Sequence, residues 1–133
     1  MNSLFAGLER WRPQILGIVR IVVALLFIEH GTSKFFAWPG QGGFSSLSPL
    51  FIVQGIIEFG GGILLLLGVY TRLVAFILSG DMAVAYFMAH HPKAFFPILN
   101  GGDAAILYCF IFLYIFFAGS GAWSVDRNVL KQE

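Results

Sequence analysis

The stretch Leu50–Val69 reads LFIVQGIIEFGGGILLLLGV and carries a single charged residue, Glu58, among its twenty residues. A helix rises 1.5 Å per residue, so twenty residues reach about 30 Å, the hydrocarbon thickness of a bilayer. The stretch therefore predicts a membrane-spanning helix, with Glu58 about 12 Å below its start. A carboxylate at that depth is costly unless it is paired, hydrated or used for function.

The rest of the chain has the same character, which excludes a soluble domain. Its 133 residues are 58% hydrophobic and 11% charged, with a mean hydropathy of +0.83. We predict spans over about residues 13–36, 50–69, 72–90 and 103–118, all within a single transmembrane domain. The expected fold class is an all-α membrane protein, a four-transmembrane-helix bundle.

The connections between the predicted spans carry their own signals. Trp11 and Trp38 stand just outside the ends of the first span and mark the two membrane interfaces. Residues 38–49, rich in Gly, Ser and Pro, predict a loop. The second and third spans are so close that Tyr70 and Thr71 predict a tight hairpin, and Asp103 is predicted to cap the fourth helix.

Charge near the span ends predicts the orientation. The basic residues on the side of the termini are Arg10, Arg12, Arg72, Arg127 and Lys131, whereas Lys34 and Lys93 lie on the other side. Because basic residues stay on the cytoplasmic side, we expect both termini in the cytoplasm and the protein in the bacterial inner membrane. A net charge of +1 leaves no basic field for nucleic acid, and one cysteine, Cys109, excludes an internal disulfide.

Polar residues gather toward the predicted outer end of the bundle. Glu29, His30 and Lys34 fall within an arc of about 140° on the first helix, and Asp81 lies near mid-membrane on the third. Packing of the four helices would place them around an outward-facing vestibule with Asp81 as its floor. No catalytic residue is identified, and the candidate ligand-binding residues are Glu29, His30, Lys34, Gln54, Glu58, Asp81, His90, His91, Asn100 and Asp103.

Two of these candidates have a structural interpretation that the sequence leaves open. Glu58 and Lys34 could form a buried ion pair that fixes helix register rather than a proton or ligand site. Asp81 could be a protonated hydrogen-bond donor to a neighbouring carbonyl group. For Arg20, in the inner half of the first span, we expect either snorkelling to the headgroups or an approach to Asp81.

The remaining features concern packing and cofactors. Gly55, Gly61 and Gly62 lie on one face of the second helix and are predicted to let another backbone approach closely. The same face is a candidate docking surface for a partner. The three histidines of the chain lack ligand spacing, so we predict neither a metal nor a haem site.

Four short stretches stand out when taken together. These are HGTSKF at residues 30–35, EFGGG at 58–62, HHPKAFFPILNGGD at 90–103 and GSGAWSVDR at 119–127. Their combination and order resemble the DoxX family of small four-span bacterial membrane proteins over about residues 14–127. Asp103 stands where this resemblance leads us to expect Glu, and Ser120 where it leads us to expect Pro.

The resemblance implies architecture more than activity. The family is named for its relation to membrane subunits of an archaeal thiosulfate:quinone oxidoreductase, which makes a quinone the implied cofactor. The leading hypothesis is a component of membrane redox chemistry that binds a quinone or small molecule in the vestibule, as an oxidoreductase-associated subunit if it is an enzyme. The alternatives are a non-enzymatic transport or binding component and a structural partner of a larger membrane complex. Besides the lipid bilayer, the expected associations are a homo-oligomer or a membrane redox partner.

Overall fold

The computed structural model describes residues 2–36, 38, 40 and 48–132, so most of the predicted loop at 38–49 lies outside the described residues. Every regular element among the described residues is helical. The α-helices are α1 (Asn2–Phe5), α2 (Arg12–Phe36), α3 (Pro49–Leu67), α4 (Thr71–Ala85), α5 (Pro97–Asn100), α6 (Asp103–Ala118) and α7 (Val125–Asn128). A 3-10 helix, Ala6–Trp11, leads into α2, and a π-helical turn, Tyr86–His90, followed by a 3-10 turn, His91–Lys93, extends α4.

The predicted all-α membrane fold is confirmed. The helical runs Ser3–Phe36, Pro49–Leu67 and Thr71–Lys93 are long and apolar enough to cross a membrane, and Asp103–Ala118 is a shorter apolar helix. At 1.5 Å per residue that shorter helix is about 24 Å long. Its crossing of the membrane and the cytoplasmic position of the termini stay predictions.

The predicted hairpin between the second and third spans is present, with a left-handed residue at the end of α3 and another before the start of α4. Gly68 ends α3 in the left-handed region, at φ 71°, and Tyr70 precedes α4 at φ 49°. A Cβ atom on Gly68 would collide with Ser124, so both the backbone angle and the space require glycine there. The turn is tight because the C-terminal segment packs directly against it.

The four long helices pack as two pairs. α2 lies along α3, α4 lies along α6, and α3 joins the pairs through its contact with α4. α2 and α6 approach each other at few positions, where the Phe27 ring meets Phe112 at 5.0 Å and Tyr108 at 5.5 Å between ring centroids. The buried core residues are Val23, Ala24, Phe27, Leu65, Val74, Ala75, Leu78, Met82, Phe112 and Ile115.

Glycines set the close approach of α3 to its neighbours. A Cβ on Gly55 would lie 2.7 Å from the Phe35 ring, and one on Gly62 would lie 2.7 Å from Ile28, both on α2. A Cβ on Gly61 would lie 2.7 Å from Leu78 on α4. The three glycines thus face helices of the same chain, and the hypothesis that they form a docking surface for a partner is wrong because that surface is already covered.

The bundle has two distinct ends. We call the end where α2 and α4 finish and α3 and α6 begin the loop end. The opposite end, where α2 begins, α3 turns into α4 and α6 finishes, is the terminal end. Buried polar side chains occur at both ends, and they differ in what they bind.

Candidate functional site

A buried ion pair joins α2 to α3 at the loop end. The Nζ atom of Lys34 lies 2.9 Å from each carboxylate oxygen of Glu58 and donates to Oε1 of Gln54 at 3.2 Å. The Glu58 side chain is 3% exposed and that of Lys34 is 22% exposed. Lys34 lies in the last turn of α2, so its long side chain reaches across to the middle of α3 and neutralises a carboxylate that lipid could not solvate.

A second carboxyl group, that of Asp81 on α4, lies beside this pair. The Gln54 side chain lies near it, and Glu58 and Lys34 are its charged neighbours. Its Oδ2 atom is buried and has no hydrogen-bond partner among the described residues. We call Lys34, Gln54, Glu58 and Asp81 the loop-end cluster.

The loop-end cluster contains more acid than base. Both acceptor oxygens of Glu58 are directed at the single ammonium group, so Asp81 is the carboxyl group left over. A buried, unpaired charge in a membrane is unfavourable. The cluster is therefore suited to holding a proton on Asp81, or to accepting a hydrogen bond from a ligand at the open Oδ2 atom.

Glu29 and His30 are exposed and lie beside the cluster rather than in it. The His30 ring packs edge-on against Tyr108 of α6 at 5.7 Å between centroids, and Lys34 and Glu29 are its charged neighbours. This places His30 at the α2–α6 contact, one helical turn before Lys34, which reaches toward α3 instead.

The remaining candidates hold the 86–103 segment together. Buried Asn100 donates to the Tyr86 hydroxyl at 3.1 Å and to the Ala94 carbonyl at 3.0 Å, and its own carbonyl accepts the Gly102 N–H at 2.8 Å. Nδ1 of His90 lies 3.1 Å from the backbone oxygen of Asn100. Both amide hydrogens and the side-chain oxygen of Asn100 are therefore bonded within the 86–103 segment, which indicates a structural role at the loop end.

His91 and Asp103 are both exposed at this end. The His91 ring packs against Phe87 and Phe95. The prediction that Asp103 caps α6 is wrong, because Gly102 occupies the cap position without a side-chain bond and Asp103 is the first residue inside the helix. Asp103 is still well placed there, since a negative charge in the first turn interacts favourably with the helix dipole.

Arg20 is fully buried at the terminal end, and both predictions for it are wrong. Its guanidinium group donates to the backbone carbonyls of Ser120, Ala122 (3.1 Å) and Trp123 (2.8 Å). It thus neither snorkels to headgroups nor approaches Asp81. The chain after α6 turns back over the start of α2 and presents its carbonyl groups to this one side chain.

Asp126 completes this arrangement from the opposite side. Its two carboxylate oxygens accept the N–H groups of Tyr70 and Thr71 at 2.8 and 2.7 Å, which caps the start of α4. Its charge also attracts Arg20. Ser124 accepts the Arg127 N–H and donates to Ser120, so it fixes the same segment. We call Arg20, Ser120, Ser124 and Asp126 the terminal knot.

Sequence reasoning did not identify the terminal knot, although a signal for it was present. Asp126 follows a Gly-Ser-Gly turn at residues 119–121 and lies at the same end as Arg20, a cation that needs compensation. Charge balance at that end would have suggested the pairing of Arg20 with Asp126. Nothing in the sequence indicated that Arg20 would bind backbone carbonyls instead of a carboxylate.

These observations define a class of protein: an all-α membrane protein with a buried acid-rich cluster at one end and a charge-bearing knot at the other. The match to the DoxX family model over residues 15–91 identifies the family. The chain belongs to the DoxX family. The loop-end cluster lies wholly within the matched residues, whereas most of the terminal knot lies beyond them.

The chain is similar to three bacterial proteins, two of which are named as membrane proteins. An uncharacterized protein of Haemophilus influenzae is 47% identical, with 95% of this chain and 98% of the relative covered. An uncharacterized membrane protein of Mycobacterium tuberculosis is 30% identical over 90% of this chain and 84% of its own length. The inner membrane protein YqjF of Escherichia coli is 29% identical over 86% and 92%. No solved structure matches the chain.

Proposed function

We propose that the protein is a component of membrane redox chemistry whose loop-end cluster binds the polar headgroup of a quinone or a similar small molecule. The observation that carries this proposal is Asp81, a half-buried carboxyl group whose buried Oδ2 atom has no partner among the described residues, beside an ion pair that is already complete. Acidic side chains inside membrane helices are characteristic of functional sites.

The chemistry suits a hydrogen-bonding, proton-exchanging ligand. A quinone headgroup has two carbonyl oxygens that accept hydrogen bonds, and its reduction to quinol takes up two electrons and two protons. In this proposal Asp81, in its protonated form, donates to one headgroup oxygen, and the amide of Gln54 orients the acid. A reductase partner supplies the electrons, and Asp81 passes on protons taken from the aqueous side of the loop end.

The test is direct binding of decylubiquinone to the purified protein in nanodiscs, measured by native mass spectrometry. We expect one bound quinone per chain. Asp81→Asn should lower the affinity about tenfold, because an amide N–H is a weaker hydrogen-bond donor than the carboxylic acid O–H that it replaces. Absence of quinone binding to the wild-type protein would exclude the proposal.

Asp103→Asn is the matched control. It removes a carboxyl group at the same end of the bundle, but an exposed one outside the cluster. We expect its quinone affinity to stay within about twofold of the wild-type value. Equal losses in the two variants would show that general charge at the loop end, rather than the cluster, determines binding.

The structural interpretation of the cluster makes a different prediction. If Lys34 and Glu58 only fix the register of α2 against α3, a variant with both replaced by Met should fold and bind quinone as the wild-type protein does. The proposal requires this double variant to lose quinone affinity. A tightly bound small molecule without redox activity in the purified protein would instead favour the binding or transport alternative.

A further inference from the structure

A groove of about 620 Å³ runs along the surface between α2 and α6 at the terminal end. Its walls include Ile15 and Val19 from α2 and Tyr114 and Ala118 from α6. From Arg12 to Val19 the groove follows α2 for about 10 Å. It exists because α2 and α6 approach closely only around Phe27, toward the other half of the bundle.

The mouth of this groove carries two arginines. Both Arg12, the first residue of α2, and Arg127 of α7 line the groove. The α2 residues from Pro13 to Val19 that line it are apolar. An exposed ion pair joins Arg12 to Glu9 at 3.0 Å. Exposed pairs of this kind contribute at most about 1 kcal/mol, so an anion of higher charge density can compete with Glu9 for the guanidinium group.

We propose that this groove is a binding site for an anionic phospholipid. The apolar walls take the upper part of one acyl chain, and the guanidinium groups of Arg12 and Arg127 bind the phosphate. Guanidinium groups match phosphate oxygens in a bidentate geometry, and basic pockets between membrane helices bind anionic headgroups. The site is separate from the loop-end cluster and does not depend on the function proposed for it.

The segment before α2 supports this occupant. The residues from Asn2 to Trp11 continue into α2 as one helical run and expose the apolar side chains of Leu4, Phe5, Leu8 and Trp11. Leu8 also lines the groove. A short segment that exposes apolar and basic groups together is suited to the headgroup region of a bilayer, where the phosphate of a lipid in the groove would lie.

The experiment measures lipid selectivity on the full chain in nanodiscs. Spin-labelled phosphatidylglycerol and spin-labelled phosphatidylcholine are compared for their motionally restricted fraction. We expect the wild-type protein to retain phosphatidylglycerol preferentially and Arg12→Gln to lower that preference about fivefold, because the variant removes one of the two guanidinium groups that bind the phosphate in the groove. Glu9→Gln should raise it, because the variant frees Arg12 from its intramolecular partner.

Two further variants make the test specific. Arg10→Gln removes the same charge two residues away, outside the groove, and should change the preference by less than about twofold. Val19→Trp fills the groove from its exposed wall and should abolish the preference while the helical circular dichroism stays unchanged. Three outcomes would each overturn the proposal. The wild type could retain both lipids equally, Arg10→Gln could lose as much preference as Arg12→Gln, or a folded Val19→Trp protein could keep the full preference.

Discussion

The two ends of the bundle both bury charged side chains, but they use them for different contacts. In the terminal knot, Arg20 donates hydrogen bonds to three backbone carbonyls, and Asp126 accepts hydrogen bonds from two backbone N–H groups. In the loop-end cluster, Lys34 and Glu58 bind each other, and Asp81 keeps an oxygen without a described partner. Most polar groups of the terminal knot have partners within the protein, whereas the loop-end cluster keeps an acceptor oxygen that a ligand or a proton could use.

This difference shows how a polar residue inside a membrane protein can be assigned a role. A side chain that satisfies backbone groups of a turn cannot release them without unfolding that turn, because lipid offers no replacement partner. A side chain that faces other side chains can exchange a proton or a ligand while the helices stay hydrogen-bonded. We therefore infer a folding role for the terminal knot and propose ligand chemistry for the loop-end cluster.

The largest effect is expected for Arg20→Met. This substitution leaves three backbone carbonyls and the Asp126 carboxylate without their cation, so the free energy of unfolding should fall by about 3–5 kcal/mol. Chemical unfolding in detergent micelles, followed by circular dichroism, measures the change. Arg10→Met, at an exposed site, is the control, and a loss below about 1 kcal/mol for Arg20→Met would contradict the role of the knot.

Lys34→Met should have the next largest effect, about 3 kcal/mol, because Glu58 stays buried without its partner. A second substitution, which removes the remaining charge, should affect stability differently at the two ends. Adding Glu58→Met should restore most of the stability, since two apolar side chains replace the ion pair and only the Lys34 hydrogen bond to Gln54 is lost. Adding Asp126→Met to Arg20→Met should restore none, because the orphaned groups belong to the backbone. If the second substitution restored the free energy of unfolding equally at both ends, the different roles of the two ends would be contradicted.

A smaller loss is expected at the helix contact that aligns the loop-end cluster. A Cβ on Gly31 of α2 would lie 2.8 Å from the Cβ of Phe59 and 3.0 Å from its backbone, so Gly31→Ala should cost about 1–3 kcal/mol. Gly60→Ala is the matched control, since nothing lies within 4 Å of its added methyl group. Similar unfolding midpoints for the two variants would show that α2 and α3 are not held this closely.

The smallest effect on stability is expected for Asp81→Asn, within about 1 kcal/mol, because the amide keeps the shape of a side chain that lacks a full set of partners. The same variant should show the tenfold loss of quinone affinity described above. This combination of intact folding and weakened binding is what separates the loop-end cluster from the terminal knot. A fall of more than about 2 kcal/mol in the free energy of unfolding of Asp81→Asn would instead show that Asp81 is structural.

Much of the architecture could be predicted because hydropathy and helix length are local properties. The predicted spans agree with α2, α3, extended α4 and α6 to within a few residues. The association of Lys34 with Glu58 was also accessible, since few charges lay at that depth and opposite signs attract. Local signals were weaker at the ends of elements, where Asp103 falls one residue beyond the cap position.

The contacts that sequence could not give are those made by irregular backbone. Residues 119–124 have no helical period from which to infer where their carbonyls point, so the partners of Arg20 were not predictable from spacing. The contact of the His30 ring with Tyr108 depends on how far apart α2 and α6 stand. That distance is set by the Phe27, Tyr108 and Phe112 rings, whose packing is a property of the folded bundle.

The terminal knot also orders events during synthesis. Arg20 is separated from its carbonyl partners by at least 100 residues, and Asp126 is 55 residues downstream of the Thr71 N–H group that it caps. Residues 119–126 must therefore be synthesised before either bond can form. Until then the preceding helices carry a guanidinium group without its carbonyl partners, and the docking of this later segment is the step that fixes them together.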